Sequence, residues 1–139
     1  MAELAGPYAS LDWQTMTTSE IATVLAWHDA LNAGDIEMLV SLSSDDIDIG
    51  DAHGAVQGHE ALRRWADSVT TTVEPGQMYV HEGVVVVEQQ LVDRDDVGSV
   101  ETVASAFRVV HDHVTAVFRH DDLAAALAAT ELTEEDSVD

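Results

Sequence analysis

An α+β domain is the fold class expected from this sequence, and three features carry the expectation. Up to about residue 69 the apolar residues recur at helical spacing. From Gln77 onward the chain changes to β-branched-rich runs of extended character, broken by short polar turns. Its 139 residues are enough for one hydrophobic core and too few for two. Helices first and a long-stranded antiparallel sheet second is the α+β order.

The elements follow in turn. Residues 1–16 lack clear periodicity and contain Gly6 and Pro7, and they read as an N-terminal arm. Thr17-Thr18-Ser19-Glu20 has capping-box spacing, and Ile21, Val24, Leu25 and Leu31 follow at helical intervals. Gly34 stops this helix, and Asp35 is placed to cap a shorter one through Ile36, Leu39 and Leu42. Asp46–Asp51 alternates like a strand around Ile47 and Ile49. Gly58 and His59 lead into a third helix with Leu62, Trp65 and Val69 on one face. Glu74-Pro75-Gly76 reads as a turn. Strands are expected at Gln77–His81, Val84–Val92, Ser99–Val110 and Val114–Phe118, the last two joined by a tight turn at His111-Asp112. Asp121-Asp122 caps a short alanine-rich helix ending near Ala129. The domain is thus expected over 17–130, with 131–139 as an acidic tail that has little reason to order.

Composition narrows the function classes. Apolar residues make up 46% of the chain, enough for a core, and the net charge is −22 with every basic residue an arginine. Such a surface repels phosphate backbones and anionic lipid heads, so neither nucleic acid nor a membrane is an expected partner. The acidity suits a cytoplasm at molar salt, where a Debye length of ~3 Å quiets self-repulsion; codon bias in a high-GC bacterium is the other source. The amino terminus has no basic region followed by an apolar stretch, and a cytoplasmic location is expected. The absence of cysteine removes thiolate chemistry and cysteine metal sites. No dinucleotide fingerprint, P-loop, nucleophile elbow or zinc-protease motif is present, so no cofactor is expected.

The segment Ala30-Leu31-Asn32-Ala33-Gly34-Asp35, set in this order of elements, resembles the nuclear-transport-factor-2-like (NTF2-like) superfamily. This group includes ketosteroid isomerases and SnoaL-like polyketide cyclases. The similarity is closest from Trp27 to Asp51, where helix, ALNAGD, short helix, DD and a strand ending in Asp fall without a gap. The resemblance implies a cone-shaped fold: N-terminal helices packed in a strongly curved, mostly antiparallel sheet, with an apolar pocket inside. It also implies a small apolar ligand or substrate and a homodimer formed through the outer sheet face.

Carried over by position, the resemblance gives Asp51 the role of the carboxylate that shuttles a proton between carbons. Trp27 and Ser105 fall where the isomerases hold their two oxyanion donors, a tyrosine and a protonated aspartic acid. Both therefore differ from the isomerase pattern, and loss of one such donor typically costs ~2.7–4 kcal/mol of transition-state stabilisation. An efficient steroid isomerase is not expected.

Each candidate has two readings. Asp51 is a desolvated pocket base or a solvated strand-end aspartate. His28 shares the inward stripe of the first helix, and either pairs with Asp51 or is a buried neutral histidine bonded to a backbone carbonyl. Trp27 closes the cone or stacks on a ligand. His53 lies two residues from Asp51, on the same side of an extended segment, as an acid–base partner or a loop histidine. With His59 nearby a metal is conceivable, but three or four converging ligands cannot be assembled, so no metal is expected. Glu101 shares strand parity with Val103, Ser105 and Phe107; if Phe107 lines the pocket, Glu101 faces it too, and must then be neutral, paired with an arginine or near the mouth. Arg94 and Asp96 resemble the Arg/Asp pair that epoxide hydrolases of this superfamily use around a nucleophilic water, but within the polar run Asp93-Arg94-Asp95-Asp96 they are expected to be exposed turn residues. The functional alternatives are a cofactor-free proton-transfer enzyme of isomerase, cyclase or hydratase type, a non-catalytic ligand-binding or dimerisation module, and a structural dimer whose acidic coat serves salt tolerance.

Overall fold

A computed structural model describes residues 19–96 and 98–138. The expected arm and the capping threonines Thr17 and Thr18 lie outside the described residues. The first helix, α1, runs over residues 19–33 and ends where Gly34 adopts φ +70°, a left-handed conformation suited to glycine. Asp35 then caps α2 (Ile36–Ser41), its side chain accepting from the Met38 N–H at 3.2 Å. There follow β1 (Ser43–Asp51), β2 (Gly54–Gln57), α3 (His59–Ser68), β3 (Thr71–His81), β4 (Val84–Asp93), β5 (Val100–Val110), β6 (His113–His120) and α4 (Leu123–Thr130). A 3₁₀ turn at Glu134–Asp136 leads into a two-residue strand, β7 (Ser137–Val138).

The strands form one curled, open sheet in the order β2-β1-β6-β5-β4-β3-β7. All neighbours are antiparallel except β1 and β6. Irregular registers at Pro75/Met78 in β3 and at Thr115 of β6, opposite Arg108 and Val109 of β5, give the ladder bulges, the device by which long strands bend. The inner face of the curl packs on α1, α2 and α3 around Val24, Trp27, Leu31, Leu39, Leu62, Val85, Val87 and Phe107. Trp27 is the hub, with its ring 5.4 Å from Phe107 and 5.7 Å from Trp65. On the outer face, Ala126 of α4 and Leu132 bury Tyr79, Val86 and Ala104.

Several boundaries differ from expectation for physical reasons. Glu74-Pro75-Gly76 is no turn but part of the continuous strand β3: the bulge falls where proline lacks an N–H to give. The strand β2 arises because Asp51 and Gly54 pair across the two-residue turn Ala52-His53. The acidic tail is ordered over Thr133–Val138. The Thr133 N–H donates to Asp136 at 2.9 Å in a capping box, and Ser137 and Val138 pair with Tyr79 and Met78. Leu25 of the expected apolar stripe is exposed and Thr23 is buried instead, while His28 is buried on the inward stripe as expected.

Asn32, within the ALNAGD segment, ties α1 to the sheet. Its side-chain amide donates to the Val73 carbonyl and accepts from the Val73 N–H, both at 2.8 Å, copying one rung of a β-ladder. Asn32→Ala leaves both Val73 groups without these partners and is expected to lower unfolding free energy by about 1–3 kcal/mol. Urea denaturation should show the loss as a lower midpoint at unchanged slope.

Candidate functional site

Strand register builds the site. In the parallel ladder, Ile49 stands beside Val117 and Gly50 beside Phe118, so Asp51 and Arg119 come one step further along the two strands. Arg119 pairs in turn with Ser105 across β5 and β6, and Ser105 with Val87 across β4 and β5. Gln89 follows Val87 on the same face of β4. A polar row thus crosses four adjacent strands on the inner side of the curl. Above it lies a cavity of about 200 Å³ whose apolar walls include Trp27, Trp65, Phe107 and Val117, with Asp51, Arg119, Ser105 and Gln89 as its polar groups. Its rim is formed by the β1–β2 hairpin, which is closed so tightly that a Cβ on Gly50 would lie 2.9 Å from Ala55 Cβ.

Arg119 is the residue that sequence reasoning missed. Its Nε is enclosed and has no hydrogen-bond partner. Burial lowers its pKa, while the negative charges of Glu101 and Asp51 oppose that shift. An arginine so placed stays a cation. It follows Val117 by two residues and so shares its face, but it lies one position beyond the expected end of the strand at Phe118. Gln89 was equally hidden, inside a run read as a core strand, although its parity with Val85, Val87 and Leu91 was a visible signal.

The structure sorts the expected candidates as follows. Asp51 lines the cavity at its exposed rim, and its carboxylate accepts the His53 N–H at 2.8 Å. His53 is thus tied to Asp51 through its backbone and sits in the exposed hairpin turn. Glu101 is exposed, outside the lining, and acts on the site through its charge on Arg119. Trp27 and Phe107 are walls of the cavity. The Trp27 indole N–H is engaged with the Ser43 hydroxyl at 3.0 Å, and the Ser105 hydroxyl with Gln89 Oε1 at 2.7 Å. Neither oxyanion position therefore offers a free donor.

His28 does not pair with Asp51. Its Nδ1 lies 2.7 Å from the Val24 carbonyl and its Nε2 lies 2.8 Å from Gln89 Nε2. Desolvation lowers its pKa, against smaller opposing effects of the Val24 hydrogen bond and the Asp29 charge. The ring is buried against a backbone carbonyl, and its lowered pKa favours the neutral form. His59 bonds the Ser43 carbonyl at 3.1 Å. Among the described residues no three His, Asp or Glu side chains are gathered as a metal-binding set, and no helix is long and apolar enough to cross a membrane.

The chain matches the SnoaL-like domain over residues 24–129, and it belongs to that family, within the NTF2-like superfamily. No curated protein matches the sequence. Among solved structures, it is similar to an NTF2-like protein of unknown function from Cytophaga hutchinsonii at TM-score 0.66 and 12% identity, over 78% of this chain and 94% of that one. A candidate polyketide cyclase from Sinorhizobium meliloti superposes at TM-score 0.64 and 20% identity, over 71% and 94%. A candidate ketosteroid isomerase from Kribbella flavida does so at 0.63 and 15%, over 73% and 76%. At these identities the likeness establishes the fold.

The depressed His28 pKa has a thermodynamic consequence. Below the ordinary value of 6.5 the unfolded chain takes up a proton at this position that the folded chain refuses. This group's contribution to stability is therefore intact above 6.5 and declines as pH falls, by up to about 1.4 kcal/mol per unit. His28→Leu should flatten the acid limb of stability against pH relative to the parent chain, as read from urea midpoints at a series of pH values. Parallel curves would show that His28 protonates equally in both states.

Proposed function

We propose that this SnoaL-like chain binds a small, largely apolar carbonyl compound and moves a proton on it, with Asp51 as general base. One observation carries the reading: a carboxylate at the rim of an apolar cavity stands next to a guanidinium whose Nε lacks a partner. The family and the isomerase- and cyclase-type neighbours support it.

In the proposed step Asp51 takes a proton from the carbon beside the substrate carbonyl. The C–H electron pair forms the enolate C=C bond, and the carbonyl π pair moves to oxygen. The protonated Asp51 then returns the proton at the same or a conjugated carbon. Arg119 faces the oxygen as charge develops there, taking the part that Trp27 and Ser105 cannot take with their donors engaged. Charge is conserved inside the site, since Asp51 becomes neutral as the enolate becomes negative. A neutral substrate suits this arrangement, because Asp51 and Glu101 already place two negative charges around the one cation.

A second reading is favoured by the engagement of both oxyanion-position donors: the cavity binds its ligand without turnover. Deuterium exchange separates the two. The parent protein is expected to exchange the α-protons of cyclic and aryl ketones in D₂O, followed by proton NMR. Asp51→Asn should slow that exchange about 10²–10⁴-fold, and Arg119→Met about 10²–10³-fold. Ketone binding without exchange in the parent protein would leave the ligand-binding module as the function.

A further inference from the structure

The hydrogen-bond directions of the cavity's neutral polar groups are set from outside it. The Val24 carbonyl can only accept, so the Nδ1 of His28, 2.7 Å away, carries the proton. The neutral ring then shows a bare lone pair at Nε2. Gln89 Nε2, at 2.8 Å, must donate to it, which fixes the amide and turns Oε1 toward Ser105. The Ser105 hydroxyl has one proton, and it goes to that oxygen at 2.7 Å. Val24, His28, Gln89 and Ser105 therefore form one directed relay, with all three side chains buried. At its cavity end Ser105 is left with lone pairs only. Reversing any link would set two donors or two acceptors against each other, a loss comparable to an unsatisfied buried group.

We propose that Ser105 is a specificity-determining acceptor, and that the cavity selects compounds carrying a hydroxyl donor close to the carbonyl: hydroxy ketones and their enol tautomers. The reach is set by register. Ser105 and Arg119 are direct partners across β5 and β6, so a ligand that meets both offers a hydroxyl donor and a carbonyl acceptor on neighbouring carbons. Arg119 takes the carbonyl oxygen, and Ser105 takes the hydroxyl proton. The same relay reverses the role that position 105 has in the isomerase pattern, from donor to acceptor. His28 acts here as a positioning residue: it touches no ligand and fixes the orientation of Gln89. The substrate class rests on the carbonyl reading above, whereas the polarity of Ser105 does not.

Three matched probes test this: 2-hydroxyacetophenone with its hydroxyl on the methyl carbon, its methyl ether, and acetophenone. Their affinities for the full chain are measured by NMR titration. The hydroxy ketone is expected to bind about 2–10-fold more tightly than the ether, the range of one net hydrogen bond. Ser105→Ala should remove that gap while leaving ether binding in place. Nitrogen-15 NMR of the parent protein should show His28 protonated at Nδ1 and bare at Nε2, a readout that holds even where Ser105→Ala fails to fold. Asp51→Asn separates this inference from the base mechanism, since it should slow exchange about 10²–10⁴-fold and keep the affinity gap. Equal affinities of hydroxy ketone and ether for the parent chain, or a His28 protonated at Nε2, overturn the proposal.

Discussion

The parallel ladder between β1 and β6 is the constraint on which the site depends. Every other pairing in the sheet is antiparallel and, apart from β7 on β3, joins strands consecutive in sequence. The β1–β6 contact instead joins the beginning of the fold to its end. It carries Asp51 from the front of the chain to the side of Arg119 near the back. Without it β1 and its hairpin partner would be a separate ribbon, and an isolated two-stranded hairpin is marginal in water. With it, the sheet curls around α1, and the concave face holds Trp27 as a plug and leaves the cavity beside it. The same ladder that closes the core thus creates the only place where carboxylate, guanidinium and buried hydroxyl occur as neighbours among the described residues.

The distribution of the five arginines shows what a structural explanation alone leaves open. Arg63 and Arg64 lie on α3 and pair with Glu37 and Glu60, Arg94 lies in an exposed turn, and Arg108 is exposed. Each is placed where a cation is inexpensive. Arg119 alone enters the cavity, with desolvation acting against it and no partner at Nε. The exposed carboxylates of Glu101 and Asp51 offset part of that cost through their charge. The proposed function relies on this placement, a guanidinium lining the cavity with its Nε unpartnered.

What the sequence revealed was mainly local. The ends of α1, α2 and α4 were visible because Gly34, Asp35 and Asp122 do chemistry that acts within a few residues; Asp122, for instance, accepts the Ala125 N–H at 2.8 Å. The His111-Asp112 turn was equally visible, and both residues adopt positive φ there. What remained hidden was long-range. Pro75 and Gly76 carry strong turn chemistry, and only the β4 partner shows that the strand continues through them. The tail orders because Leu132 finds the outer sheet face and Ser137 finds Tyr79, neither of which local composition encodes. At the site, Asp51 was legible through family spacing. Arg119 was not, because its importance comes from the register of two strands with β6. The direction of the Ser105 proton was further out of reach, being set by a helix carbonyl at Val24.

Surface acidity and site electrostatics are separate matters in this fold. Salt at molar concentration shortens the Debye length to ~3 Å and quiets repulsion among exposed carboxylates, but it screens partly buried charges much less. The exposed acids, such as Asp45 and Glu37, belong to the first group. Arg119 belongs to the second, and the rim acid Asp51 and the nearby Glu101 bridge the two, being exposed themselves yet acting on a guanidinium inside the cavity. The core that positions them is held by apolar burial and by neutral hydrogen bonds, those of Asn32 with Val73 and of His28 with Gln89. None of these weakens by charge screening. The acidic coat can therefore vary with the solvent that the protein meets, while the cavity keeps one cation, one rim carboxylate and one buried hydroxyl in a fixed relation.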